Sequence, residues 1–358
     1  MQLAIEEGKK GAGFVSPNPL VGCIILDRDE NLIGRGHHAR LGEDHAEIMA
    51  LKSVANPAQL QGAHIYVTLE PCSHQGRTPS CAHALSQLPL ASVTYGLIDP
   101  NPKVSGGGAK VLRDAGKHTE LFEGLHEELE ELCEMFLVNM RKDRPFVALK
   151  VAGSKDGKIA RPGGTPQWIT GEKSREHVQF LRGCYDAVVV GAGTFLIDNP
   201  RLNSRDLRFA QNRQRVVLLD PLGQCMSKLA DSKLLKVREP ADVVVVTGPG
   251  VKVPVEGVRH IDLDLAGAQL PLRALMHRLS QMDIHSLFVE GGAATYAGFI
   301  REKLVDRIYA YAAPIELPGG LRWSNEISFA SLAQPGMLGK WRSAKFGDDM
   351  FYTGTWPV

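Results

Sequence analysis

A chain of 358 residues is long enough for two hydrophobic cores, and none of its apolar runs approaches the roughly 20 residues that span a bilayer. No secretory signal pattern opens it, and six cysteines scattered over this length exclude a disulfide framework, so a reducing cytoplasm is expected. Up to Asp143 there are 13 basic and 19 acidic residues (net −6), and beyond it 28 and 21 (net +7); the acidic first half lacks the basic footprint of a nucleic-acid binder, while the basic second half suits a phosphorylated substrate or a phosphate-bearing cofactor.

In chain order, residues 2–10 read as an amphipathic helix, followed by a strand at 20–26. A helix capped by Asp44 runs through Ile48, Leu51 and Val54. A strand at 65–69 ends at Glu70-Pro71-Cys72. Pro79-Ser80 then starts a helix from Cys81 through Ala84, Leu85 and Leu88. A strand at 92–97 and a helix near 111–115 complete an α/β layer pattern. An acidic helical stretch, 123–139, leads into the charged turn Arg141-Lys142-Asp143-Arg144-Pro145. The domain boundary is placed there, giving 1–143 and 144–358. The second half restarts with strands at 146–151, 187–190, 216–219, 243–246, 286–290 and 308–312. They are short, apolar and Val-rich, with helical segments between several, and predict a mainly parallel, doubly covered sheet.

One constellation carries specific chemistry. His45-Ala46-Glu47, Pro71-Cys72 and Cys81 offer an imidazole, two thiols and a spare carboxylate. Three protein ligands with an open fourth position make a catalytic zinc site, and a nearby non-ligand Glu is the proton carrier that amine hydrolysis on a nucleobase-like ring needs. The generic pattern places two residues between the cysteines; here eight intervene, 73–80. A buried imidazole and two core thiols would explain the same residues, but would leave Glu47 and the Pro-Cys step without a role. His37 and His38 are adjacent, so at most one faces a pocket from an extended strand, and neither is assigned. His83 is read as a supporting or surface residue rather than a fourth ligand.

In the second half, Val190-Gly191-Ala192-Gly193-Thr194 and Glu290-Gly291-Gly292-Ala293-Ala294-Thr295 are glycine turns at strand ends. Such turns bring backbone N–H groups close to a phosphate at a helix N-terminus. Neither completes the dinucleotide fingerprint. Each alone could be a sharp turn between packed elements; the pair favours a nucleotide.

Over essentially its whole length the chain resembles the bifunctional deaminase/reductase of riboflavin biosynthesis. The matching residues are Ser16-Pro17-Asn18-Pro19-Leu20-Val21-Gly22, His45-Ala46-Glu47, Tyr66 through His74 with Gly76-Arg77-Thr78-Pro79, and Asp99-Pro100-Asn101-Pro102. In the second half they are Leu149-Lys150-Val151-Ala152 with Asp156-Gly157, Gln167-Trp168-Ile169-Thr170-Gly171, Leu181-Arg182, Gly193-Thr194, Asn199-Pro200-Arg201-Leu202 and Val289-Glu290-Gly291-Gly292. The long cysteine spacing is that family's own form.

The resemblance implies an α/β chain with a cytidine-deaminase-like three-layer N-terminal domain and a dihydrofolate-reductase-like C-terminal domain. The first would hydrolyse the ring amine of 2,5-diamino-6-ribosylamino-4(3H)-pyrimidinone 5′-phosphate. The second would use NADPH to reduce the ribosyl group of the product to ribityl. Carried over, His45, Cys72 and Cys81 bind one zinc, Glu47 shuttles protons, and Asn18, His74, Arg77, Asp99 and Asn101 line the deaminase pocket. Gly153, Trp168, Thr194, Asp198 and Gly291, Gly292, Ala293, Ala294 and Thr295 contact NADPH. Arg182, Leu202, Arg205 and Glu290 hold the reductase substrate; the two arginines could be surface helix and loop charge, but a guanidinium fork suits the substrate phosphate. A homodimer is expected, with no nucleic acid or membrane partner.

The chain departs from that family at Lys155, at Gly164-Thr165-Pro166 where Gly-Glu-Ser is usual, at Cys133 for Asn, at Ser80 for Pro, and over 316–331. Two other function classes follow: a deaminase whose reductase half has become a binding module, and a nucleoside or tRNA deaminase fused to an unrelated domain. Charge and cysteine spacing oppose the last; NADPH consumption separates the first two.

Overall fold

A Cβ on Gly22 would lie 1.9 Å from the Ala4 carbonyl oxygen and 2.4 Å from the Gly8 nitrogen. That missing side chain lets helix α1 (Gln2–Gly8) lie directly on strand β1 (Gly22–Leu26). The computed structural model describes every residue except 74–79, 102–104, 162–167, 335 and 358. The chain falls into two units, Met1–Asp143 and Arg144–Val358.

In the first unit, β2 (Leu32–His37), α2 (Ala46–Lys52), β3 (His64–Val67), α3 (Cys81–Ser86), β4 (Ser92–Tyr95), α4 (Gly107–Asp114) and β5 (His118–Leu121) follow β1. The sheet order is β2-β1-β3-β4-β5. The β1 pairings are antiparallel, and β3-β4-β5 run parallel. Side chains alternate across the pleat. One core joins Cys23, Ile25, Ile65, Val67 and Val93 to Ala46 and Ala50 of α2, Leu85 of α3 and Leu112 of α4. Another joins Ile5 of α1 to Leu69, Leu97, Leu129 and Leu132. The result is helix, sheet, helix, the three-layer arrangement expected. The acidic stretch is not one helix: it breaks at Cys133 (φ −98°, ψ 7°) into α5 (His126–Leu132) and α6 (Glu134–Lys142). The Cys133 thiol donates to the Leu20 carbonyl at 3.4 Å, so it remains a buried donor although Asn is usual there.

The second unit adds β6 (Phe146–Ser154), β7 (Lys158–Ala160), α7 (Glu172–Cys184), β8 (Ala187–Gly191), α8 (Ala192–Asp198), β9 (Arg215–Leu219), α9 (Met226–Leu229), β10 (Val243–Thr247), β11 (Arg259–Asp262), α10 (Leu272–Ser280), β12 (Ser286–Val289) and α11 (Ala293–Arg301). It closes with β13 (Arg307–Ala313), β14 (Leu321–Arg322), α12 (Phe329–Leu332), β15 (Gly339–Phe346) and β16 (Asp349–Thr355). Its main sheet has the order β11-β10-β9-β8-β12-β6-β13-β16-β15. All pairings from β11 to β13 are parallel; β16 and β15 add an antiparallel edge. Val188, Val190, Val216, Leu218, Val243 and Val245 enter one core, and Val189, Val217, Val244, Val246 and Val289 the other. The Val-rich runs are therefore strands buried on both faces.

The divergent segment 316–331 is packed rather than loose. It pairs β14 with β7 and buries Trp323 and Phe329 in the main core. Lys155 and Glu316, from two divergent stretches, form an exposed ion pair at 3.1 Å.

Candidate active sites

In the first unit, two helix starts and one strand end converge. His45 is the N-cap of α2, with Glu47 in its first turn. Cys81 opens α3, where the Ser80 hydroxyl oxygen accepts the His83 N–H. Cys72 follows β3. Its carbonyl is fixed by the Ser80 hydroxyl at 2.7 Å and the Ala82 N–H at 3.0 Å, and its sulfur receives the Cys81 N–H at 3.3 Å. Asp44 does not cap α2 as expected; its carboxylate pairs instead with Lys52, because His45 already occupies the capping position.

The three ligand atoms lie within 4.8 Å of one another. The Cys72 and Cys81 sulfurs stand 3.6 and 3.4 Å from His45 Nδ1. Bonds of about 2.0 Å to nitrogen and 2.3 Å to sulfur at a tetrahedral angle put those atoms about 3.5 Å apart, so the trio fits zinc. The donor set agrees. A hydrogen bond from Cys81 holds the Cys72 thiol down to about 4 against its burial, with His45 helping. Cys81 is raised far above the thiol range by that same bond, by burial and by Glu47. A bound dication would favour the thiolate form of both sulfurs. Glu47 is buried, 3% exposed. Burial, with Cys72 adding to the rise, lifts its carboxyl to about 7 in the metal-free chain, within the range of a group that both takes and gives a proton at neutral pH.

His38, unassigned from sequence, belongs to this site. It is 3% exposed, its ring packs edge-on to His45 at 5.4 Å, and its Nε2 meets the Asn18 amide at 3.0 Å. His37 turns the other way, to Glu7 at 3.0 Å. Asp99 accepts the Asn101 N–H at 2.8 Å, and its own N–H donates to buried Glu70 at 3.4 Å. His74 and Arg77 lie outside the described residues.

In the second unit, a cleft of about 790 Å³ opens beside Gly191 at the end of β8 and Glu290 just past β12. It is lined by Thr194, Asp198, Glu290 and the Gly291–Thr295 turn, and also by Lys150. The two glycine turns interlock. A Cβ on Gly191 or Gly291 would lie 2.4 Å from Thr295, whereas one on Gly292 would meet Thr194 Oγ1 at 3.3 Å. The starts of α8 and of the nine-residue α11 flank these turns, so their unpaired N–H groups favour an anion.

Glu290 accepts both Arg182 Nε and Arg182 Nη2, the latter at 2.9 Å, and sits 3.4 Å from Lys150 Nζ. Burial opposes its ionisation, but the two cations outweigh it and hold the carboxyl at about 2. Burial lowers Lys150. Lys150 was matched by family only; its signal was a lone cation between buried Leu149 and Val151.

The remaining expected residues stand apart from this cleft's lining. Gly153 is required by packing, its Cβ position being 2.6 Å from the Lys158 carbonyl oxygen. Trp168 is 71% exposed, with Arg175 stacked over its ring. Leu202 sends its side chain into the core from a left-handed backbone, φ 54°. Arg205 lies on a separate groove beside Phe180 and Arg208.

The family model of the cytidine and deoxycytidylate deaminase zinc-binding region matches residues 1–97, and that of the RibD C-terminal domain matches residues 145–332. The riboflavin biosynthesis protein RibD of Actinobacillus pleuropneumoniae is 37% identical over 343 residues, covering 93% of this chain and 88% of that protein. The RibD protein of Aquifex aeolicus is 33% identical, covering 98% and 96%. Among solved structures, Acinetobacter baumannii RibD superposes with a TM-score of 0.82 at 33% identity, covering 100% of this chain and 97% of that one. The Thermotoga maritima diaminohydroxyphosphoribosylaminopyrimidine deaminase/5-amino-6-(5-phosphoribosylamino)uracil reductase gives 0.82 at 34% identity with the same coverage. The chain belongs to the RibD family: it is a bifunctional enzyme of riboflavin biosynthesis that joins a zinc-binding deaminase domain to an NADPH-dependent reductase domain.

Proposed function

We propose that residues 1–143 deaminate 2,5-diamino-6-ribosylamino-4(3H)-pyrimidinone 5′-phosphate and that residues 144–358 reduce the ribosyl group of the product. The observation that carries the first step is the His45, Cys72 and Cys81 trio with buried Glu47 beside it. Zinc held by the trio supplies Lewis acidity and a hydroxide nucleophile at neutral pH. Glu47 takes one proton from the attacking water and gives it to the ring nitrogen, then takes the second from the new hydroxyl and gives it to the departing amine, which leaves as ammonia. Its carboxyl, lifted toward neutrality by burial, is suited to both transfers. Asn18, Asp99 and Asn101 orient the ring, with His74 and Arg77 assigned by family likeness; the Asn18–His38 contact supports a place for His38 with them.

For the second step, the interlocked turns with Thr194 and Asp198 seat the cofactor's phosphates and ribose, while Trp168 and Gly153, which stand apart from that lining, are assigned to the cofactor by family likeness alone. NADPH supplies the reducing equivalent. Glu290, kept ionised by Arg182 and Lys150, accepts hydrogen bonds from the sugar hydroxyls. Arg182 acts on the substrate through the carboxylate it holds; Arg205, on a separate groove, is assigned to the substrate by family likeness alone, and Leu202 contributes backbone rather than side chain. The alternative of a reductase half turned binding module finds no support in this cleft, since Lys155 points into an exposed ion pair with Glu316; Pro166 lies outside the described residues.

No helix among the described residues is long and apolar enough to cross a membrane. The six free cysteines support a cytoplasmic setting. The homodimer remains part of this reading and is checked by light scattering. The decisive assay gives the purified chain the diamino substrate and follows ammonia release and NADPH oxidation. Both are expected, in that order; ammonia release without NADPH oxidation would instead support the binding-module alternative.

A further inference from the structure

The strand end that delivers Cys72 also delivers a carboxylate that takes no part in the metal trio. Glu70 is 3% exposed. Its Oε1 accepts the Ala109 N–H at 3.0 Å, and its Oε2 accepts those of Gly106 at 2.9 Å and Asp99 at 3.4 Å. Its own N–H donates to the Leu97 carbonyl at 2.8 Å. One side chain therefore stitches the end of β3 to both flanks of the segment that carries Asp99 and Asn101. The backbones meet just as closely: a Cβ on Gly108 would lie 1.7 Å from the Pro71 carbonyl oxygen, so the first turn of α4 rests on the residue between Glu70 and Cys72.

We propose that Glu70 is a positioning residue for deamination, setting the separation between the ligand Cys72 and the Asp99–Asn101 pair so that a ring held by that pair lies at the metal trio. This rests on the assignment of Asp99 and Asn101 to the pyrimidine pocket. An ionised carboxylate is the one side chain of this shape that meets three donors with acceptors alone. A glutamine would turn an N–H toward one of those donors and leave a buried group unpaired. The metal ligands keep their own supports in Ser80 and Ala82, so the displaced part is the substrate side.

The test is Glu70→Gln in the full-length zinc enzyme. KM for the diamino substrate rises about tenfold while kcat changes by less than about threefold, as expected when ground-state binding is lost. Zinc content and NADPH turnover on the deaminated substrate stay at wild-type levels. Asn101→Ala alone raises KM similarly, and the double variant is no worse than Asn101→Ala, because Glu70 acts through that pair. If Glu70→Gln does not accumulate folded, Glu70→Asp, which keeps the charge but withdraws it by one methylene, reads the same split. An unchanged KM in the Glu70 variant beside a raised one in Asn101→Ala overturns the inference alone. No effect of Asn101→Ala overturns the pocket assignment and the inference with it. Zinc loss accompanying the KM change also overturns it, making Glu70 a support of the fold.

Discussion

The two sites of this chain are anchored in opposite ways. The deaminase site is a convergence of side chains: two helix starts and a strand end bring His45, Cys81 and Cys72 to within 4.8 Å, and a buried carboxylate completes it. The reductase cleft is built largely from side chains that are missing, since Gly191 and Gly291 leave the space that Thr295 fills. Its charge lies in one half-buried cluster, Lys150, Arg182 and Glu290. A site made of side chains fails by losing a ligand or a proton carrier; one made of backbone fails by being filled or by losing its counter-ions.

The largest effect belongs to the metal ligands. Cys72→Ser or Cys81→Ser replaces a thiolate donor by a hydroxyl that stays protonated, so zinc falls to background by elemental analysis and ammonia release disappears. Full zinc in both variants would remove the basis of the deaminase assignment. Glu47→Gln keeps the metal but removes the proton carrier, lowering deamination by about 10²–10⁴-fold; a rate within a few-fold of wild type would move that role elsewhere.

In the reductase the largest expected effect is on stability. Glu290→Ala leaves two half-buried cations, Lys150 and Arg182, without their partner and costs about 3 kcal/mol. The four tryptophans, Trp168, Trp323, Trp341 and Trp356, all lie in the second unit, so their fluorescence reports its unfolding in the whole chain. The same carboxyl sets an acid limit. It titrates at about 2 when folded against an ordinary 4.5, so the unfolded chain takes up the proton first as pH falls. About 3 kcal/mol, fully present above pH 4.5, is lost on the way down through pH 2. Glu290→Gln should flatten that slope; an identical slope would assign it to other carboxylates.

The smallest effect separates packing from binding within the glycine turns. Gly291→Ala presses on Thr295 and costs about 1–3 kcal/mol of stability. Gly292 has φ −79°, ψ 179°, a conformation alanine adopts, and its Cβ would approach only Thr194 Oγ1 at 3.3 Å. Gly292→Ala is therefore expected to keep the fold and weaken NADPH binding about tenfold, the scale of one lost hydrogen bond to a charged group, measured by nicotinamide fluorescence titration. Equal binding by both variants would make the turns purely structural.

The same contrast decides what was legible in the sequence. The metal trio could be read because its chemistry demands particular residues, and Pro71-Cys72 and Ser80-Cys81 also mark the local structure. The buried parallel strands were legible from their Val runs. β2 was not, because Gly34 and Gly36 interrupt its apolar pattern; those glycines let α2 lie against the strand, a Cβ on Gly36 being 2.2 Å from the Ala50 nitrogen. β5, His118–Leu121, is a mostly exposed edge strand with no hydrophobic alternation to reveal it. His38 was hidden because its burial depends on Asn18 and on the His45 ring. In the reductase, the glycine turns could be seen but not their interlock, which depends on Thr295 standing over Gly191 and Gly291 and on Thr194 standing over Gly292. Asp44 misled because a good capping residue stood one position before the true cap, His45.

The most direct test of two independently anchored sites is to strip zinc from the wild-type chain with a chelator and run both assays on one preparation. Ammonia release should vanish and return on adding zinc, while NADPH oxidation on the deaminated substrate continues at the untreated rate. Ammonia release that survives stripping, or NADPH oxidation that is lost with the metal, would contradict the account.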